Sequence, residues 1–337
     1  MTTTTNGATL EHEIGATGSF RLRQLSGSIF LRGVDGGTAR VVERNGKSLA
    51  EGFQIETGEG QLSLTAPDRA GLNMVFDIGR RSSFELEVEV PRGAAVSIES
   101  ASAELQLADL TNKLRIRTAS GDLALERFAG TLELDAVSGD ARIEAAGGLD
   151  LRARTISGDV SVRAPRLGRA EIGTTSGDVR IDALLAGDGP YGIETVSGDV
   201  TIVGRMGLRI EARTVTGDVR SELPHRREAG LGRKQLVVGD GAIPFTFRSV
   251  SGDLRVTTPR DGLPAGVATG ESPAVAPEAP VAPVPPTAPS APVPPVAPTN
   301  PGAGGREVAR MDVLRALERG ELSVEAAMRR IALIEEA

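Results

Sequence analysis

The feature that most constrains this chain of 337 residues is a tripeptide, Ser-Gly-Asp or Thr-Gly-Asp, that recurs between residues 120 and 253. Its central glycines are Gly121, Gly139, Gly158, Gly177, Gly198, Gly217 and Gly252. The spacings are 18, 19, 19, 21, 19 and 35 residues, so the last interval holds one period plus an insertion around residues 221–236. Recurrence at a fixed short period is typical of repeat architectures, in which each unit buries its apolar face against its neighbours.

Each period carries the same pattern of apolar residues around the tripeptide. We call the bend that each tripeptide is expected to form a corner. Leu149 and Leu151 alternate with polar residues before the corner at Gly158, and Val160 and Val162 alternate with polar residues after it. Alternation with a period of two residues predicts a half-buried β-strand. Each period therefore contains two short strands, whose polar partners, many of them arginines, face water.

The corner has a physical logic of its own. Counting by twos from Leu149 leads to Ser157, but the next apolar residue is Val160, so the inward phase slips at the tripeptide. Glycine adopts a positive φ at such a bend without steric cost. We expect the Asp to accept a backbone N–H two residues later in its own turn. We also expect the Ser or Thr hydroxyl to point inward and to hydrogen-bond along the stack.

Two strands and two corners in about 19 residues predict a mainly β fold, a parallel β-solenoid (β-helix). Eight or so coils, counting one near residues 100–102, would rise ~4.8 Å each and span roughly 40 Å. The solenoid is predicted over residues 10–258, with regular coils over 96–257. Residues 10–95 are the degenerate part that begins or caps it, and Ser26-Gly27-Ser28 resembles a degenerate corner.

The two ends of the chain differ in composition from the repeats. Residues 1–9 are predicted to be a disordered N-terminus, and residues 259–305 a Pro/Ala-rich disordered linker that acts as a semi-rigid spacer. Residues 306–337 carry apolar residues at helical spacing and predict a helical hairpin (αα-hairpin). About 32 residues are marginally stable alone, so this hairpin is expected to bind a protein partner or a second copy of the chain.

Composition excludes several classes of function. The absence of Cys excludes disulfides, thiol nucleophiles and thiolate metal sites, and two His make a His-ligated metal centre or a catalytic triad improbable. The net charge of −7 argues against binding to nucleic acid or to anionic membranes. We therefore predict a protein that is not an enzyme, with no catalytic, cofactor-binding or metal-binding residues and no cofactor.

The N-terminal residues and the hydropathy pattern bear on location. The first residues lack a basic and an apolar signal region, and no apolar run is long enough to form an integral membrane segment. The sequence therefore predicts a cytoplasmic protein, with association with the cell envelope as the alternative.

Two functional alternatives remain open. The repeated aspartates would stack into a column that can bind Ca²⁺ and form a Ca²⁺-dependent adhesive rod, although capping of each turn is the favoured interpretation. Its members are Asp122, Asp140, Asp159, Asp178, Asp199, Asp218 and Asp253. A β-helix carbohydrate-active enzyme would need a local cluster of charged residues. The insertion with His225, Arg226 and Arg227 is the candidate, interpreted as a solvated loop.

The repeated T-x-S-G-D-[VL]-x-[VIL] pattern, preceded by Val88-Glu89-Val90-Pro91, resembles the bacterial DUF4097 family of "putative adhesin" β-strand-repeat proteins over residues 84–257. The tail with Gly320-Glu321-Leu322-Ser323 resembles the SHOCT-like helical module of YvlB- and LiaX-type envelope-stress proteins, where that module usually lies at the N-terminus. The resemblance implies a β-solenoid and a surface, adhesive or envelope-stress role. It supplies no catalytic residues.

Overall fold

The computed structural model describes residues 3–67, 83–205, 207–230 and 233–259 of the chain. These residues are mainly β, as predicted, with 21 strands and one short helix among them. The predicted helical hairpin at 306–337 lies outside the described residues, as does all of the predicted linker except residue 259. In the described part of the chain, no helix combines the length and the apolar character that a membrane crossing requires.

The elements follow one another along the chain with short connections. In chain order they are β1 (Thr3–Asn6), β2 (Thr9–Glu13), β3 (Ser19–Val34), β4 (Thr38–Glu43), α1 (Leu49–Gly52), β5 (Gln54–Gly58), β6 (Gln61–Thr65), β7 (Phe84–Pro91), β8 (Ala95–Ala108), β9 (Lys113–Ser120), β10 (Leu123–Ala136), β11 (Ala141–Ser157), β12 (Val160–Ser176), β13 (Val179–Leu185), β14 (Tyr191–Ser197), β15 (Val200–Val203), β16 (Leu208–Thr216), β17 (Val219–Ser221), β18 (His225–Gly230), β19 (Arg233–Val238), β20 (Ile243–Ser251) and β21 (Leu254–Thr257).

Successive repeats pair as parallel strands, with an offset of one repeat. Before the corner, Leu132 of β10 lies between Leu114 of β9 and Leu151 of β11. After the corner, the first segments of β10, β11 and β12 pair with one another in the same direction. Each repeat therefore forms one rung of a ladder, with one strand segment on either side of its corner.

The apolar residues that alternate in the sequence are the ones that the structure buries. Leu149, Leu151, Val160 and Val162 are all at most 2% exposed, and the same positions of the other repeats join them in a continuous core. Burying one such side chain is worth about 1.5–3 kcal/mol. Because the core runs through all rungs, each repeat shelters the apolar side chains of its neighbours.

At one outer position before the corner, charged residues alternate in sign over four rungs. Glu99, Arg117, Asp135 and Arg154 occupy matching positions of β8, β9, β10 and β11. Arg117 lies 3.8 Å from Glu99 and 3.6 Å from Asp135. Exposed pairs of this kind each stabilise little. Since like charges directly opposite each other are unfavourable, the alternation nevertheless favours this register over a shifted one.

The C-terminal end of the ladder departs from the order of the sequence. β20 lies between β14 and β16, so Phe247 pairs with Ile193 on one side and with Ala212 on the other. The last two repeats therefore do not stack in chain order. β16 and β17, which form the outer rung, therefore precede in the sequence β20 and β21, which form the rung inside it.

The insertion in the 35-residue interval is a β-hairpin rather than a loop. β18 and β19 pair antiparallel, and β19 also pairs antiparallel with β16, placing Leu236 opposite Ile210. Open strand edges invite pairing with other chains. The hairpin covers the outer edge of β16 and thus explains why the insertion falls at this repeat.

The N-terminal end of the ladder is built in a similar way. β3 lies between β8 on one side and β6 and β7 on the other, and Gly27 at its centre has a φ of 123°. This confirms the degenerate corner at Ser26-Gly27-Ser28. Antiparallel strands β5, β4, β2 and β1 complete this end. The prediction of disorder for residues 1–9 is wrong for Thr3–Asn6, which form β1.

We expect the replacement of Phe247 by Ala to destabilise the fold, because Phe247 is fully buried in the returning strand β20. A buried Phe→Ala change typically costs about 3–5 kcal/mol. Thr246→Ala, at an exposed position of the same strand, should change the free energy of unfolding by less than ~0.5 kcal/mol. Urea denaturation followed by circular dichroism measures both, and equal effects of the two changes would contradict this placement of β20.

Candidate functional site

The corners line up into one column, which contains every residue of the predicted aspartate column. All seven tripeptide glycines have positive φ, from 109° at Gly139 to 158° at Gly252. A Cβ on Gly158 would overlap the carbonyl oxygen of Gly139 in the neighbouring rung. Glycine is therefore required at this position for two reasons: its backbone adopts a positive φ, and the next rung approaches too closely for a Cβ.

Each corner carboxylate binds the neighbouring rung. Oδ1 of Asp122 accepts the backbone N–H of Asp140 at 2.9 Å, and Asp140 accepts that of Asp159 at 2.9 Å. The series continues through Asp178, Asp199, Asp253 and Asp218, in that order, at 2.8–2.9 Å. The prediction that each Asp caps its own turn two residues later is wrong, because the bond joins two rungs.

These bonds offset the crowding of like charges in the column. Parallel strands lie ~4.8 Å apart, so neighbouring carboxylates repel one another. A hydrogen bond from a backbone N–H to a carboxylate is roughly twice as strong as one between neutral groups. Six carboxylates thus also satisfy a backbone donor of the next corner: those of Asp122, Asp140, Asp159, Asp178, Asp199 and Asp253.

Asp218 occupies the end of the column, where no further corner follows. Its Oδ2 accepts a hydrogen bond from Arg220 at 2.7 Å, and Nζ of Lys234 lies 3.9 Å from its Oδ1. The Arg220 hydrogen bond and its positive charge lower the pKa of Asp218. The positive charges of Arg220 and Lys234 therefore balance the carboxylate at which the series of backbone donors ends.

The hydroxyl groups of the corners act differently from the prediction. The inward hydroxyl belongs to the Thr two residues before the Ser of the tripeptide, as at Thr155, which is 8% exposed, whereas Ser157 itself is exposed. Thr155 donates to the carbonyl of Ser157 within its own rung, at 3.1 Å. Some outer hydroxyls do join rungs, since Ser138 donates to the carbonyl of Ala119 at 3.2 Å.

The structure thus gives the corner column a role in holding the rungs together. Within the described ranges, no group of three or more Asp, Glu or His side chains is arranged to hold a metal ion. One oxygen of each bonded carboxylate is occupied by a backbone donor. This geometry accounts for the repeated Asp without a ligand.

The three residues considered for a carbohydrate-active enzyme lie on β18 of the hairpin. The interpretation of this segment as a loop is wrong. His225 is exposed, with Nδ1 2.9 Å from the carbonyl oxygen of Leu223, and Arg227 donates to the carbonyl of Val219 at 3.4 Å. Arg226 is also exposed and pairs through its backbone with Val237. These contacts hold the hairpin against the adjoining segment.

A second charged cluster was not predicted from the sequence. Asp109 and Arg127 are the non-glycine residues with positive φ in the described part, at 62° and 51°. Arg127 binds the Asp109 carboxylate through two nitrogens, at 2.9 and 2.8 Å, and Arg92 and Arg32 lie 3.4 and 3.5 Å from it. The hydrogen bond from Arg127 is the main cause of the low pKa of Asp109. The cluster joins β3 and β10 to the residues that directly follow β7 and β8.

A surface depression of about 310 Å³ lies on the outer face after the corner. Its charged lining comes from three neighbouring rungs: Arg142 and Glu144, then Arg163, then Arg180 and Asp182. Arg163 lies 3.9 Å from Asp182, which Arg205 also contacts at 2.8 Å. The residues are 40 positions apart at most, but only the stacking of rungs brings them together, so the sequence pattern gave no direct signal. Its mixed charges can hold a polar or charged group at the surface.

Replacement of Gly158 by Ala should disrupt the corner column. The positive φ and the overlap with the carbonyl of Gly139 together predict a loss of at least about 2 kcal/mol in the free energy of unfolding. Gly173, in the next repeat, is a matched control, since a Cβ there meets no atom within 4 Å. Urea denaturation should show that Gly173→Ala is tolerated. Equal losses would contradict the role assigned to the glycine column.

The Asp109 cluster should make stability dependent on acid pH. Because the folded state lowers the pKa of Asp109, its contribution is fully present above the ordinary Asp value of about 4 and is lost as pH falls below it. Asp109→Asn should lower the urea midpoint at pH 7, and the difference from the unmodified chain should shrink between about pH 4 and pH 2. A difference that does not change with pH would contradict this role.

Several solved structures and one family model are similar to this chain. Solved structures of low identity resemble the chain: a "putative adhesin" from Bacteroides fragilis NCTC 9343 (12% identity, 75% of this chain and 97% of that one, TM-score 0.44) and a "putative lipid binding protein" from Parabacteroides distasonis ATCC 8503 (14%, 75% and 98%, TM-score 0.42). A "putative cell adhesion protein" from Clostridium sporogenes ATCC 15579 follows (11%, 75% and 100%, TM-score 0.24). No curated protein matches. The family model described as Toastrack DUF4097 matches residues 38–257, which include all seven corners, and the chain therefore belongs to the DUF4097 family.

Proposed function

We propose that the protein is a non-enzymatic binding scaffold, a rigid β-solenoid that carries a helical interaction module at residues 306–337. The observation that supports this most directly is the uninterrupted ladder of corners that runs from Asp122 to Asp218 at its two ends, whose repeated geometry holds the rungs together. A scaffold of this kind offers a long outer surface on which partners bind.

The solenoid is supported by the pairing on both sides of each corner. β11 pairs in parallel with β10 and with β12 along both its first and its second segment. A coil that stacks in this way on both faces encloses a single apolar interior. The side chains of Leu151 and Ile143, one from each segment of β11, are buried in that interior.

Rigidity is the property that suits this architecture to binding. Every inner rung has a neighbour on each side, and bonds between backbone groups and corner carboxylates reinforce each step. Residues fixed by such a scaffold lose little conformational entropy when they bind a partner. The outer faces can therefore present charged residues, such as those of the depression around Arg163, in fixed positions.

The cellular compartment is a separate proposal with two alternatives. The sequence favours the cytoplasm, whereas the surface, adhesive or envelope-stress role that the resemblance to the DUF4097 family implies favours association with the cell envelope. Fractionation of cells, followed by detection of the untagged protein with an antibody, separates these alternatives. Recovery with the envelope fraction would overturn the cytoplasmic one.

A specific observation keeps the Ca²⁺-dependent adhesive rod as a second candidate. The corner carboxylates use Oδ1 for the bond between rungs, and most of them, including Asp140, Asp159 and Asp178, are exposed to solvent. Oxygen ligands suit Ca²⁺. Calorimetric titration with Ca²⁺, with thermal melts in the presence and absence of a chelator, tests this candidate. The absence of both heat and a shift in melting temperature would remove it.

Deletion of residues 306–337 tests the recruitment role of the predicted hairpin. We expect the truncated chain to keep its β circular dichroism spectrum, because the described ladder ends before this segment. We also expect its oligomeric state or its capture of a partner to change. The measurement is light scattering coupled to size exclusion, with affinity capture in parallel. If neither property changes, the recruitment role is wrong.

A further inference from the structure

Exposed apolar residues concentrate at one position of the corners. The large apolar side chains that are exposed in the described part of the chain are Leu25, Leu184, Val196, Val215 and Val250. All except Leu184 directly precede the Ser or Thr that opens a corner. Single exposed apolar residues are ordinary, but a contiguous set marks an interaction surface.

Three of these residues stack on consecutive rungs. Val196, Val250 and Val215, in this spatial order, are 48%, 50% and 83% exposed. The strands that carry them pair in register, so the three valines lie opposite one another, ~4.8 Å apart. We name this set the valine edge. Polar residues are tolerated at this position, as Thr175 shows in a preceding rung.

Charged residues flank the valine edge on the side before the corner. Glu194, Arg248 and Arg213 lie two residues before the three valines and are also in register. Arg248 forms an ion pair with Glu194. Arg213 faces Arg248 across the strands, and such a like-charge pair is unfavourable unless a carboxylate is added.

Carboxylates flank the same edge on the other side. Asp199, Asp253 and Asp218 lie three residues after the valines, within the corner column. At the rungs of Val250 and Val215 the apolar row therefore has an arginine on one side and an aspartate on the other, whereas at the rung of Val196 both flanking residues are acidic. Such a surface complements a copy of itself.

We propose that the valine edge is an interface between two copies of this chain, related by a twofold axis that runs along the edge. This rotation brings Arg248 of one copy to Asp253 of the other and Arg213 to Asp218, and it leaves one like-charge pair, Glu194 against Asp199. Each valine meets its own counterpart. A twofold axis perpendicular to the edge would instead bring Arg248 against Arg248 and Asp253 against Asp253, so the distribution of charge selects the first arrangement.

The same arrangement extends beyond the three valines. An axis along the edge keeps equal rungs opposite each other, so Ile156 and Val137, at the same corner position, also meet their counterparts. Two copies thus lie side by side along the ladder. The interface does not involve residues 306–337, and its failure and the failure of the recruitment role are therefore distinguishable.

Cysteine cross-linking of the full chain tests the proposal, because the chain has no Cys of its own. Val215→Cys and Val196→Cys should each give a disulfide-linked dimer under mild oxidation, since a disulfide requires the two Cβ atoms to lie within about 4.5 Å. Leu184→Cys, exposed but outside the edge, should not. No cross-linking above this control would overturn the proposal.

The direction of the axis has its own test. In a mixture of tagged Val196→Cys and untagged Val215→Cys chains, we expect links between equal positions. Predominant links between position 196 and position 215 would indicate the perpendicular axis and would overturn the proposed arrangement.

Equilibrium variants of the full chain separate the interface from other modes of association. Val196, Val215 and Val250 replaced together by Thr, which keeps the branched shape, should weaken dimerisation by about tenfold or more in sedimentation analysis. Leu184→Thr is the control. Arg213→Glu and Asp218→Arg should each weaken the dimer, and their combination should restore it. Self-association that none of these changes affects would contradict the proposal.

Two features indicate that Arg213→Glu and Asp218→Arg weaken the dimer without unfolding the monomer. Arg213→Glu places an acidic residue opposite Arg248 and so relieves a like-charge pair within the monomer. Asp218 is the last of the column, so no further corner depends on its carboxylate, and its ion pairs with Arg220 and Lys234, which Asp218→Arg removes, lie at the exposed surface, where such pairs stabilise little. Circular dichroism spectra should therefore remain unchanged for both. Dimers that weaken only together with a loss of β signal would count against the interface.

Discussion

The hydrogen bond that the backbone N–H of one corner donates to the Asp carboxylate of the neighbouring corner is the interaction on which the described structure depends. It requires a short acidic side chain, a glycine before it that allows two corners to approach, and a constant register between rungs. Once these are met, the strands on either side of the corner pair in parallel and their alternating apolar residues form one core. The seven Ser-Gly-Asp or Thr-Gly-Asp tripeptides of the sequence reflect this single requirement, and six bonds join them.

The same bond shows why the repeated Asp is poor evidence for a ligand site. A column of carboxylates suggests a cation, but here backbone donors balance most of the charge, and Arg220 balances it at the end. Surfaces whose side chains are available to contact another molecule lie elsewhere. They are the depression around Arg163 and the apolar position that precedes the corners. Interaction is therefore better sought on the outer faces and edges than in the corner column.

The strands, their inward faces and the parallel register were predictable, because a period of two residues and a period of about 19 are local properties of the sequence. The order of the rungs was not. β16 and β20 carry the same corner pattern, so exchanging them changes no local feature, and only the 35-residue interval marks the place. The cluster of Asp109 and Arg127 was missed because it lies at the irregular bends opposite the corners, where no motif repeats. The direction of each Asp bond depends on the neighbouring rung and could not be read from one repeat.

Hydrogen exchange of backbone amides in an Asp199→Ala variant tests this account most directly. In the structure, the carboxylate of Asp199 accepts a hydrogen bond from the N–H of Asp253. If the rungs stacked in chain order, it would instead accept one from the N–H of Asp218. We predict that the amide of residue 253 loses protection from exchange in this variant and that the amide of residue 218 keeps it. Loss of protection at 218, with 253 unchanged, would contradict both the order of the rungs and the bond that joins them.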